Sequence, residues 1–257
     1  MNPLLDLAAR PIIAHRGSSG SAPENTLVAF QRAVEEGADA FELDVRLTAD
    51  GVPVVHHDPT LDRTTNGTGG LRAVPLEQLR LLDAGARFTS DGGRTYPFRG
   101  GEVRIPTLRE VLQAFPEMPC MVEIKEPEAQ EAVREVVLEE RAVERCVLAS
   151  EQHEALRVFR KPPFATAASG GEIGALYRAA LFRRVPASVQ YRCLSVPLRY
   201  RGLPVPTRGF VATARRLGCP VHVWTINEPA TVRLLWGRGV AGMVTNYPEI
   251  MKQVQQQ

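Results

Sequence analysis

Short apolar segments alternate with helical patterns along almost the whole of this 257-residue chain, and that rhythm limits its fold more than any single residue does. Strands are expected at 11–15, 40–45, 53–57, 121–125, 146–150, 164–168, 193–197, 221–226 and 242–245. Helical patterns fall between most of them, at 26–36, 128–141, 153–159, 173–182, 207–217 and 229–238. Several carry punctuation: Pro23-Glu24-Asn25-Thr26 can cap the first helix and Gly37 can end it. Asn227 ahead of Glu228-Pro229 reads as an N-cap with proline in the first turn. Strands and helices alternating at this spacing argue for a parallel β/α architecture. The length suits one large domain or two small ones, and a single (β/α)₈ barrel takes ~250 residues.

One stretch, 59–104, breaks the rhythm. It is rich in Gly, Thr, Arg and Asp, and a connection of that length in a compact domain is usually functional or has structure of its own. Short helices are expected at 75–82 and, after Pro106, at 107–115. The rest reads as an excursion over the strand ends that walls a site, with order and disorder equally weighted for 89–101. No internal repeat is visible, and the only low-complexity stretch is the glutamine-rich tail at 253–257.

Charge narrows the function. A net charge of +2 gives no support for nucleic-acid binding. Cys120, Cys146, Cys193 and Cys219 lie far apart in or beside apolar segments, which reads as buried free thiols in a reducing compartment. The first ten residues make a poor signal peptide, and no stretch approaches the ~20 apolar residues of a membrane span. A cytoplasmic enzyme is expected.

The chemistry concentrates at strand ends. Side chains two apart on a strand share a face, so Glu42 and Asp44 point one way, as do Glu123 and Lys125. E-x-D alone fits ordinary salt bridges on an exposed strand. Beside His15, Arg16 and His57 at neighbouring strand ends, that bland reading loses ground. Three carboxylates converging without a cation repel, and one of them tends to hold a proton. A hard divalent ion such as Mg²⁺ or Ca²⁺, which takes oxygen ligands, relieves the conflict. The set has the chemistry of a metal-assisted phosphodiester hydrolase.

The strings A-H-R-G at 14–17, P-E-N-T at 23–26, E-L-D-V at 42–45, H-D-P-T-L-D-R-T-T at 57–65, E-I-K at 123–125 and W-T-I-N at 224–227 carry a family likeness. In order and spacing the chain resembles the glycerophosphodiester phosphodiesterase family over nearly its whole length. The resemblance implies a TIM-type (β/α)₈ barrel, one domain over 1–257, with a small insertion after the second strand at about 59–105. It implies one divalent cation, Mg²⁺ or Ca²⁺, on Glu42, Asp44 and Glu123, with His15 and His57 as the acid/base pair. Arg16 and Lys125 would hold the phosphate of a glycerophosphodiester substrate, and Trp224 would line its cleft. The products would be glycerol 3-phosphate and an alcohol. A lysophospholipase D acting on lysophospholipids is the alternative, and a phosphate-binding protein without activity ranks below both.

Two positions depart from the family pattern: Ser150-Glu151-Gln152 stands where Ser-Phe-Asp is common, and Asn246 stands where Asp is common. Both lie outside the inferred metal and acid/base set, so they bear on pocket polarity. Of the remaining histidines, His56 reads as structural or solvent-facing, His153 as a surface residue and His222 as a satisfied core residue. Asp58 reads as an orienter of His57 or a turn residue. The basic, apolar segment 177–185 reads first as a barrel helix burying Leu181 and Phe182 with its arginines in water. Weak contact with anionic lipid is the second reading. The sequence carries no signal for oligomeric state.

Overall fold

A computed structural model of the chain describes residues 2–256. Eight parallel strands form its centre: β1 (Ile12–His15), β2 (Ala40–Leu47), β4 (Cys120–Ile124), β5 (Cys146–Ala149), β6 (Ala165–Thr166), β7 (Leu194–Pro197), β10 (Val221–Trp224) and β11 (Met243–Thr245). They are hydrogen-bonded in the order β6-β5-β4-β2-β1-β11-β10-β7. A parallel bridge between Ala167 and Cys193 joins the two ends, and Ala168 N–H donates to the Cys193 carbonyl at 3.0 Å. The sheet is therefore a closed barrel, as the family likeness implied, built on the parallel β/α alternation.

Helices cover the outside: α1 (Leu27–Glu35), α3 (Leu108–Ala114), α4 (Gln130–Glu139), α5 (Gly170–Leu181), α6 (Arg208–Arg216), α7 (Pro229–Trp236) and α8 (Pro248–Gln255), with α2 (Leu76–Leu79) in the insertion. Thr26 caps α1 by accepting the Ala29 N–H, and Thr107 with Glu110 forms a capping box on α3. Packing follows strand alternation. One face of each strand meets the helices, as where Phe41 of β2 packs on Phe30 and Phe115 at 4.9 and 5.2 Å between ring centres. The other face fills the barrel, where Ile13, Ala40, Met121, Val147, Cys193 and Val244 gather on Leu4 from the short 3₁₀ turn Pro3–Leu5.

His222 sits in this inner layer, fully buried, with Nε2 2.9 Å from the Leu4 carbonyl and no partner for Nδ1. Burial pushes its pKa down to about 4. A histidine whose pKa is depressed by folding stabilises the native state above its unfolded value near 6.5, and that contribution is lost as pH falls towards 4. The loss is about 3 kcal/mol across that window at 1.36 kcal/mol per pK unit. Denaturant titrations at both ends of the window should show a His222→Asn variant losing less stability on acidification by that margin.

The structure corrects several expectations. The segment at 53–57 is not a barrel strand: β3 (Pro53–Val55) runs antiparallel to the end of β2, with Val45 opposite Val55. The 153–159 segment is a 3₁₀ helix, not an α-helix. Asn227 does not cap α7, because its Oδ1 already accepts from the Thr245 hydroxyl and the Asn246 N–H. The glutamine-rich tail is largely the end of α8, with Gln257 outside the described residues. Leu181 and Phe182 are 65 % and 74 % exposed, because α5 sinks only Leu176 fully and its last turn runs past the core. A small antiparallel ribbon, β8 (Arg199–Tyr200) with β9 (Leu203–Pro204), follows β7 and had no sequence signal.

The insertion has its own small core of Val54, Leu61, Leu71, Leu79, Val103 and Ile105. Its 89–101 part is held by Asp91, which accepts from Thr95 and Arg94, and by the Phe88–Phe98 ring contact. All four cysteines are buried and free. No helix among the described residues is long and apolar enough to cross a membrane.

Candidate active site

The carboxyl ends of the barrel strands open into a cavity of about 700 Å³, lined by His15, Arg16, Glu42, His57, Glu123, Lys125 and Trp224 among others. Of the residues expected to bind metal or substrate or to act as acid and base, only Asp44 is absent from that lining; it is fully buried. Parallel register explains the convergence: His15 pairs with Glu42 across β1 and β2, and Asp44 pairs with Glu123 across β2 and β4. Those side chains occupy the inward face one layer above Ile13, Ala40 and Met121. The placement is the one expected of a barrel of this type, whose sites form at the carboxyl face.

His57 arrives by another route. The end of β2 projects beyond the barrel, β3 folds back along it, and His56 N–H donates to the Asp44 carbonyl at 2.9 Å. The chain is thereby turned back so that the next residue, His57, stands on the rim. His56 itself is buried, with Nε2 3.0 Å from the Thr60 carbonyl, so it is structural.

Glu42, Asp44 and Glu123 each offer an oxygen within 4.8 Å of the others. Burial and then the charges of Asp44 and Glu123 raise the Glu42 pKa well above the usual carboxylate range. Glu123 is raised likewise, by burial and then Asp44. Asp44 stays below its ordinary value although burial opposes ionisation, because Arg16 and Lys125 flank it. Its Oδ2 is 3.0 Å from Arg16 Nε and 2.9 Å from Asn25 Nδ2. Its Oδ1 is 3.3 Å from Lys125 Nζ but is buried without a well-formed hydrogen bond. Lys125 also meets Glu123 at 3.0 Å. Three oxygen donors with an orphaned carboxylate atom among them fit a hard divalent cation.

Each imidazole is oriented through Nδ1. His15 Nδ1 lies 2.7 Å from Asn246 Oδ1, and its Nε2 lies 4.0 Å from Glu42. Burial, followed by Arg16, lowers the His15 pKa, so the ring is neutral at neutral pH. His57 Nδ1 lies 2.6 Å from Asp58 Oδ1, and Arg63 Nε donates to Asp58 Oδ2 at 2.5 Å. Arg63, followed by His57, holds Asp58 far below its ordinary range although burial opposes this.

Arg63 does more than hold Asp58. Its other two nitrogens donate to both oxygens of Glu24 at 2.7 Å, and Glu24 accepts from Arg16 Nη1 at 2.9 Å. One chain of ion pairs thus runs from His57 through Asp58, Arg63 and Glu24 to Arg16 and Asp44. A planar guanidinium is the side chain that bridges two carboxylates in fixed geometry. Arg63→Ala is expected to lower turnover by roughly 10–100-fold, the scale typical of groups that orient a site's ligands. Arg63 is half exposed, so thermal melting should move little, and a steady-state assay beside a melting curve separates the two effects.

The A-H-R-G turn makes this arrangement possible. Arg16 and Gly17 both have positive φ, 58° and 81°. A Cβ on Gly17 would stand 2.6 Å from the Ala29 carbonyl carbon, so only glycine lets the turn pass against α1.

Four participants went unread in the sequence. In the sequence Glu24 and Asn25 read as part of the segment that caps α1, and Arg63 as part of a connection rich in Gly, Thr, Arg and Asp. Asn246 was placed outside the acid/base set, whereas it touches His15 directly. The motif strings at 23–26 and 57–65 contained the first three; the fourth follows β11 directly beside β1, where Thr245 pairs with Ala14, a pairing of the two chain ends that no local pattern shows. The insertion was also misjudged: none of 59–105 lines the cavity, and the far wall is α5 with the β8–β9 ribbon.

Comparisons with known proteins identify the family and the fold. Residues 15–250 match the family described as the Glycerophosphoryl diester phosphodiesterase family. A glycerophosphodiester phosphodiesterase of Caldanaerobacter subterraneus is 36% identical over 93% of this chain and 95% of its own length. Among solved structures, a glycerophosphoryl diester phosphodiesterase domain from Mycobacterium tuberculosis superposes with TM-score 0.86, covering 96% of this chain and 99% of its own, at 23% identity. An Oleispira antarctica phosphodiesterase in complex with the product sn-glycerol-3-phosphate superposes with TM-score 0.78 at 26% identity, covering 97% and 98%.

Proposed function

The chain belongs to the glycerophosphoryl diester phosphodiesterase family, and we propose that it hydrolyses glycerophosphodiesters to glycerol 3-phosphate and an alcohol, with His15 and His57 as the acid/base pair beside a cation-binding carboxylate cluster. The observation that carries this reading is the meeting of two separately oriented imidazoles with Glu42 and Glu123 on the lining of one cavity, Asp44 being buried within 4.8 Å of both acids.

The two histidines have different surroundings. His15, neutral and oriented by an amide, is suited to accept the proton of the attacking hydroxyl on Nε2. That leaves His57, backed by Asp58, to deliver a proton to the departing alkoxide. General acid and general base each contribute roughly 10²–10⁴-fold when positioned this way. The assignment is the same whether the attacking group is water or the substrate's own glycerol hydroxyl.

Arg16 offers a guanidinium to the phosphate from a backbone turn that cannot relax. Lys125 carries a second positive charge on the opposite side of Asp44. Glu42, Asp44 and Glu123 would hold a divalent cation, which would supply positive charge where phosphoryl oxygens become more negative. Trp224, at the end of β10 and about one-third exposed, gives the cavity a flat wall.

A coupled assay for glycerol 3-phosphate, run on a panel of glycerophosphodiesters with and without chelator, tests the proposal. Release that chelator suppresses supports it, and absence of release across the panel removes it. Ile173, Tyr177, Leu203 and Val205 on the far wall favour a second reading, a lysophospholipase D. Choline released from lysophosphatidylcholine, compared with glycerophosphocholine in the same assay, decides between them.

A further inference from the structure

Charge is unevenly distributed along this chain. Overall 31 basic residues nearly balance 29 acidic ones, yet from Ile173 to Asn227 there is no Asp or Glu and there are nine arginines. Part of that stretch forms the outer wall of the cavity mouth. Tyr177 and Arg178 of α5 and Arg199, Tyr200 and Leu203 of the ribbon line it, and the Tyr177 hydroxyl donates to the Pro204 carbonyl at 3.2 Å, tying helix to ribbon. Leu181 and Phe182 stand four residues beyond Tyr177 and Arg178, hence one turn along the same helix faces.

This wall is apolar where it meets solvent. Phe182 is 74 % exposed, Leu181 65 %, and Tyr200 and Leu203 61 % each. Arg183 and Arg184 follow directly, Arg201 lies over the Tyr200 ring, and none of these arginines pairs with a carboxylate among the described residues. Single exposed apolar residues need no explanation, but a cluster interleaved with unscreened arginine does.

We propose that this rim, the last turn of α5 together with the β8–β9 ribbon, docks on an anionic lipid bilayer and sets the cavity mouth against the membrane surface. Arginines meet the lipid head groups while Leu181, Phe182 and Leu203 enter the boundary below them, as in interfacial helices. A soluble polyanion would satisfy the arginines and leave the leucines and phenylalanine in water. A second copy of the chain would bring two surfaces of the same sign together. Only a surface that is both anionic and apolar answers both features. The inference goes beyond the proposed activity and does not depend on it.

Flotation with phosphatidylcholine vesicles, with and without roughly one quarter phosphatidylglycerol, tests it at about 0.1 M salt, where the screening length is near 10 Å. The native protein should float only with the anionic vesicles. A Leu181→Asn/Phe182→Asn variant and an Arg183→Gln/Arg184→Gln variant should each bind about tenfold more weakly or worse. Turnover of a soluble glycerophosphodiester should be unchanged in both, which shows that they fold. No flotation of the native protein, or flotation untouched by either pair, overturns the proposal. Retention on a heparin column that survives loss of Leu181 and Phe182, without flotation, assigns the surface to soluble polyanions and also overturns it. Flotation needs no turnover, so an inactive protein that floats leaves the docking intact and removes only the catalytic reading.

Discussion

His57→Ala is expected to lower kcat on a diester with an ordinary alcohol leaving group by roughly 10²–10⁴-fold, the scale of a lost general acid. The same variant should lose far less on a p-nitrophenyl diester, whose leaving group departs without being protonated. His15→Ala should lose a similar factor on both substrates, because the attacking hydroxyl needs its base whatever leaves. The asymmetry follows from the surroundings of the two rings. His15 is neutral, with Nδ1 tied to an amide, whereas His57 is backed by Asp58 and Arg63. Removing both should cost little more than removing the worse one, since two groups serving one transition state are not additive. A double variant near native activity would end the acid/base assignment, and a His15→Ala enzyme rescued by the activated substrate would reverse the roles.

What could be read from sequence and what could not has a physical pattern. Period-two alternation gives the face of a side chain, so Glu42 with Asp44, and Glu123 with Lys125, could each be aimed one way before any coordinates, and the family likeness joined the three acids into one set. Alternating strands and helices could be read as a parallel barrel because each element buries a stripe whose spacing is local. Side-chain contacts between segments far apart in sequence are another matter. Asn246 meets His15 across 231 positions of sequence, and nothing in Thr245-Asn246-Tyr247-Pro248 signals it. Arg63 was one arginine among many until the structure placed Glu24 and Asp58 on its two sides. The segment at 53–57 reads as a strand and is one over Pro53–Val55, but so short a buried apolar run does not show its direction. The turn between β2 and β3 is short enough to fold straight back, which settles the direction. Leu181 and Phe182 failed for the converse reason: apolar identity was taken to mean burial, although apolar atoms make up much of any protein surface.

The carboxylate cluster leads to the second large effect. Glu42, Asp44 and Glu123 crowd their oxygens within 4.8 Å, with Arg16 and Lys125 beside Asp44 to offset them. Without a cation the burden falls on Glu42, whose pKa is driven upward by burial and by its two acidic neighbours. Mg²⁺ or Ca²⁺ at a hundred times its Kd should therefore stabilise the fold by about 2.7 kcal/mol. For a chain of this size that corresponds to a rise in Tm of about 5–10 °C. Glu42→Gln removes one charge from the cluster while keeping its shape. It should melt at or above the chelated native protein, lose the cation-induced rise, and fall in turnover by at least roughly 10²-fold, as expected when charge stabilisation of the transition state is lost. Melting curves with Mg²⁺, with Ca²⁺ and with chelator check the first two points without any assay of activity. A native Tm indifferent to every divalent cation would mean that the three acids are balanced by Arg16, Lys125 and a proton alone. The positive charge facing the phosphate would then have to come from those two side chains.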